Sequence, residues 1–180
     1  MTNEQIKYSI NTGEMKLGNW DKFTHYGIVY SLFIIPVMLF FFYFKDYFQG
    51  TARPIREVEI WFIIIPSILG VLFYRLQKSR LKFKSIETKL TRDELGLIIE
   101  KVANELEWTP YVNNKKIIIA KTHPSFFSGS WGEQITILFD KNRVLINSIC
   151  DPDKRSSVVS MGRNKKNMKR LIVEISKASH

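Results

Sequence analysis

THYGIVYSLFIIPVMLFFFYF, residues Thr24–Phe44, runs for 21 residues without an Asp, Glu, Lys or Arg. Backbone polar groups find no water in a bilayer core, so a spanning segment must be a helix or part of a closed barrel. A helix needs roughly 20 apolar residues to cross ~30 Å of hydrocarbon. Val58–Leu76 supplies a second run of 19 residues, with Glu59 near its outer end. Between the two lies Lys45–Glu57, which carries Lys45, Asp46, Gly50, Arg53, Pro54 and Arg56 and suits an aqueous turn. Trp20, Tyr26, Tyr43, Tyr47, Trp61 and Tyr74 cluster near the ends, where amphipathic rings favour the membrane boundary. The expectation is a transmembrane helical hairpin over residues 23–76, with spans 24–44 and 58–76.

Pro36 and Pro66 fall near the middle of the two spans, each removing a backbone donor. They read as tolerated curvature or, with Gly70, as a notch for a partner helix. No ionisable side chain lies deep in either span, which argues against an ion or proton pathway. Arg75, Lys78, Arg80, Lys82 and Lys84 follow the second span, against Lys45, Arg53 and Arg56 in the loop. The excess of basic flanks predicts both termini in the cytoplasm and the loop outside, in a multi-pass membrane protein.

The chain carries 27 Lys and Arg against 17 Asp and Glu, a net charge of +10. Residues 77–180 hold +9 of it (20 basic, 11 acidic). A basic domain held near a bilayer is drawn to anionic lipid by about 1 kcal/mol per basic residue at the surface. That tether favours anionic lipid or a membrane-protein partner over nucleic acid. The lone Cys150 excludes an intramolecular disulfide, as suits a cytosolic domain.

Residues 1–22 read as a polar tail or a short interfacial helix. The 77–180 segment reads as an α+β domain, an antiparallel sheet with helices on one face, in the chain order β-α-β-β-β-β-α. Its first strand falls in Leu81–Thr88. Thr91 and Glu94 form a capping box, and Leu95, Ile98, Ile99, Val102 and Leu106 make an apolar helical stripe. Trp108–Val112 and Lys115–Thr122 read as a hairpin about Asn113-Asn114. Glu133–Asp140 and Arg143–Cys150 form a second hairpin. Ile135, Ile137 and Phe139 alternate with Gln134 and Thr136, so one face of that strand is buried. Val158–Met161 reads as a short further strand. Asn164 is the expected cap of a last helix striped by Met168, Leu171, Ile172 and Ile175.

The polar stretch richest in information is Gly162-Arg163-Asn164-Lys165-Lys166-Asn167, with Lys169 and Arg170 beyond. Cations at a helix start oppose the helix dipole, while the same end offers free N–H groups to an anion. Arg163, Asn164, Lys165, Lys166, Lys169 and Arg170 are therefore the candidate anion or partner site. A solvated basic face toward a negative membrane is the alternative. Phe126, Phe127 and Trp131, in a loop of Ser and Gly, are candidates for a pocket or interface, or for core cover. Asp151-Pro152-Asp153 reads as a turn rather than a metal site. No phosphate-binding glycine loop, metalloprotease helix or nucleophile elbow is present, and neither a catalytic residue nor a cofactor is assigned.

From about Phe83 the chain resembles the C-terminal domain of small, functionally unassigned bacterial membrane proteins of the Bacteroidetes type. The shared features are Trp108, Phe126-Phe127, Gly132-Glu133-Gln134-Ile135-Thr136-Ile137, Asn147-Ser148-Ile149-Cys150-Asp151-Pro152 and the Gly162–Asn167 stretch. The resemblance implies a bacterial membrane protein and brings no catalytic residue with it. The reading is a membrane-anchored binding module or accessory subunit. An enzyme handling a lipid or nucleotide phosphate, with Asn147, Ser148, Asp151 and Asn164 converging on a pocket, is one alternative. A small homo-oligomeric channel is another.

Overall fold

The computed structural model describes residues 1–125 and 130–179. Two long helices, α3 (Gly27–Phe48) and α4 (Glu57–Arg80), are long and apolar enough to cross a membrane. Only 11% and 6% of their most apolar windows are buried in the protein. They pack antiparallel: Tyr43 meets Glu59, Phe33 meets Gly70, Tyr26 meets Tyr74 and His25 meets Gln77. A Cβ on Gly70 would stand 2.6 Å from the Phe33 ring, so only glycine permits this approach. Pro36 is buried as well. Gly70, expected to take a partner helix, is thus used within the pair. At the turn between α3 and α4, Glu59 accepts hydrogen bonds from Arg53 at 2.6 and 3.0 Å, from the Arg56 N–H at 2.9 Å and from the Tyr43 hydroxyl.

The C-terminal part folds as α+β. Along the chain it runs β1 (Lys84–Glu87), α5 (Arg92–Glu105), β2 (Trp108–Asn113), β3 (Ile117–Thr122), β4 (Glu133–Asp140), β5 (Arg143–Cys150) and α6 (Arg163–Ala178). The five strands form one antiparallel sheet, and the order across it differs from the order along the chain: β1-β5-β4-β3-β2. β2 to β5 are a meander, and β1 joins its far edge beside β5, so α5 crosses the sheet between β1 and β2. The capping box at Thr91 and Glu94 is formed. The α5 stripe and Leu171 and Ile175 of α6 bury Ile118, Ala120, Ile135, Ile137, Val144 and Ile146.

Five expectations are corrected. Helices do not lie on one face only. Of the two readings of the N-terminal segment the tail fails and the short helix stands, packed on the sheet: α1 (Asn3–Thr12), opened by a capping box of Thr2 and Gln5. Ile6 and Ile10 of α1 cover Ile117, Ile119, Leu138 and Leu145 on the second face. Thr136, read as solvent-facing, is buried for that reason. Val158–Met161 is irregular rather than a strand, and α6 is capped by Gly162 at φ +79°, with Asn164 turned inward inside the helix. Phe126 and Phe127 lie outside the described residues.

The helical pair and the sheet are joined without slack. The Gly13 C=O accepts from the Phe83 N–H and the Leu81 C=O from the Met15 N–H, both at 2.8 Å, strapping the end of α1 to the end of α4. A short helix, α2 (Asn19–His25), then leads into α3. Asn147 Nδ2 donates to the Arg80 and Lys82 carbonyls at 2.8 and 2.9 Å. Gln77 and His25, both buried, clasp each other: His25 Nε2 donates to the Gln77 C=O at 3.1 Å, and Gln77 Nε2 to the His25 C=O at 2.8 Å. The same Gln77 amide donates to the Ser157 C=O, and the Ser156 hydroxyl accepts the Ile28 N–H.

Candidate anion-binding site

The six candidate residues at the start of α6 do not act as one cluster, because α6 turns them in three directions. Asn164 faces the core, and its Oδ1 accepts from the Ser148 hydroxyl at 2.9 Å. It belongs to a buried polar chain in which Asn167 donates to Ser148 and accepts the Trp108 indole N–H. Arg163 and Arg170 face carboxylates. The Arg163 guanidinium stands 3.7 Å from Glu133, and Arg170 pairs with Glu105 at 2.7 Å and Glu174 at 2.7 Å. The hydrogen bond from Lys101, with the Arg170 charge nearby, holds the Glu174 carboxyl down at about 2. Lys165, Lys166 and Lys169 are left exposed.

Lys165 shares its surroundings with residues far away in sequence. A groove of about 660 Å³ opens between the end of α4, the start of β1, residues 158–162 and the start of α6. Arg80, Lys82, Lys84 and Lys165 line it, with Phe83, Val159, Met161 and Met168 as its apolar side. Arg80 donates to the Val158 C=O at 2.5 Å, which ties residue 158 down over the end of α4. Among the described residues, Lys82, Lys84 and Lys165 have no carboxylate partner, whereas Lys101, Lys121, Lys177, Arg143 and Arg170 all have one. The Asn164 and Lys165 backbone N–H groups, two of the four that a helix start leaves unpaired, also have no acceptor among the described residues. The groove thus combines positive charge, free donors and an apolar side.

The remaining candidates take up structural positions. Asp151 and Asp153 both pair with the largely buried Lys121, Asp151 at 3.0 Å. Asn147 and Asp151 point away from Ser148 and Asn164, so the four residues do not converge on one pocket. Cys150 is buried, its thiol donates to the Val159 C=O at 3.7 Å, and burial raises its pKa above the usual thiol range. The His123 ring stands beside Lys154. Trp131 lies half-exposed under the Arg155 guanidinium.

Glu133 stands outside the six candidate residues. It is fully buried, and the Thr122 and Ser130 hydroxyls both donate to its carboxylate. Its parity with Ile135 and Ile137 was the available signal. The His25–Gln77 clasp had no such signal, since its two residues are 52 positions apart.

No protein-family model matches the chain, and no curated protein is similar to it in sequence.

Proposed function

We propose that the protein is an integral membrane protein whose helical pair anchors a basic α+β binding module at the cytoplasmic face of a bacterial inner membrane. The observation that carries the reading is the contrast in burial. α3 and α4 turn Ile34, Val37, Phe40, Phe41, Leu72 and their neighbours outward, while the α+β part buries its own apolar residues. Lipid is the cover that fits such a surface. The positive-inside pattern supports cytoplasmic termini. The clasp at His25 and Gln77 supports a module held at fixed height above the leaflet, free to contact an anionic ligand or a membrane-protein partner. The resemblance to small bacterial membrane proteins points the same way.

Single cysteines introduced into a Cys150→Ser background test both anchoring and orientation. In spheroplasts, a membrane-impermeant maleimide is expected to label Thr51→Cys in the α3–α4 turn. Leu97→Cys, exposed on α5, is expected to label only after permeabilisation. Equal labelling of both, or release of the chain by alkaline carbonate, overturns the reading.

A further inference from the structure

The groove at the foot of α4 lies at a particular depth. From Glu59, with its ring of Arg53, Tyr43 and Arg56, ~20 helical residues cover the ~30 Å of a hydrocarbon core and end beside Ser79. Ser79 and Arg80 are the first residues of the groove. Arg80, Lys82 and Lys84 therefore stand at headgroup level, and Lys165 faces them from α6. The apolar side of the groove is open outward: Val159 is 45% and Met161 67% exposed. An aqueous anion would have no use for that side, and an acyl chain would.

We infer that this groove binds one anionic phospholipid of the surrounding leaflet. Lys82, Lys84 and Lys165 hold the phosphate, the start of α6 donates to it, and Val159 and Met161 lie along the first carbons of an acyl chain. Charge complementarity favours an anionic over a zwitterionic headgroup, because Lys82, Lys84 and Lys165 line one groove and no carboxylate residue lines it with them. The inference rests on the membrane reading above and deepens it by naming the ligand class.

The test is native mass spectrometry of the full-length chain in mild detergent, titrated with phosphatidylglycerol, phosphatidylcholine or inorganic phosphate. One phosphatidylglycerol is expected to be retained in preference to phosphatidylcholine, with inorganic phosphate failing to displace it. The Lys82→Gln/Lys84→Gln/Lys165→Gln variant is expected to weaken retention by about tenfold or more. Lys101→Gln/Lys177→Gln, which removes two cations paired with Glu174, serves as control and is expected to retain it. Met161→Ser tests the acyl contact separately and is expected to lower retention with all cations in place. Equal retention of the two lipids, indifference to the triple substitution, or displacement by inorganic phosphate overturns the inference. Carbonate extraction of the same membranes separates the two failures. A chain that stays in the membrane without preferring phosphatidylglycerol sinks the site alone. A chain released by carbonate sinks the anchoring as well.

Discussion

The α3–α4 pair and the sheet contain similar side chains and dispose of them in opposite ways. Ile137 and Ile146 are shut between β4, β5 and two helices. Ile34 and Ile68 point outward from α3 and α4. The difference lies in what each element can be covered by. A strand leaves an apolar face that neighbouring helices of the same chain can close, and α5, α6 and α1 do so. A helix apolar all round leaves no polar side to turn to water, and one partner helix covers only a stripe of it. Apolar content therefore says little about burial, whereas the period of the apolar residues says a great deal.

The largest expected effect comes from the closed side of this comparison. Ile146→Ala is expected to destabilise the α+β part by about 2–5 kcal/mol, since a cavity forms where no neighbour can collapse. Ile34→Ala, outward on α3, is expected to leave its stability unchanged. Hydrogen exchange of the β4 and β5 amides in detergent reads both, and equal losses would break the distinction.

A smaller effect is expected where the regions meet. Gln77→Leu leaves the His25 and Ser157 carbonyls without their donor, at a cost of about 1–3 kcal/mol. Exchange is expected to rise at residues 25–28 and 156–158 while the sheet stays protected. If the sheet loosens equally, the two regions are one cooperative unit.

The smallest effect concerns the other half of the clasp. His25→Leu removes the donor to the Gln77 carbonyl at 3.1 Å. Exchange is expected to rise at residues 25–28 while the sheet stays protected, and comparing exchange profiles of the two chains checks it.

Much of this architecture was written in the sequence, because its signals are local. The two apolar helices follow from runs of about 20 residues. Helix α5 follows from its capping box and stripe, and the β4–β5 hairpin from alternation about Lys141-Asn142. The basic stretch at Arg163–Arg170 was also legible, but not its division: whether a cation points to Glu133, to Glu105 or to solvent depends on what α6 packs against. Only the tertiary structure decided three further matters. It placed β1 beside β5, brought α1 over the second face, and set Lys165 opposite Arg80, Lys82 and Lys84. Each depends on contacts between residues far apart in sequence. Period and composition state what a segment must bury; what it is buried against is settled by which surfaces fit.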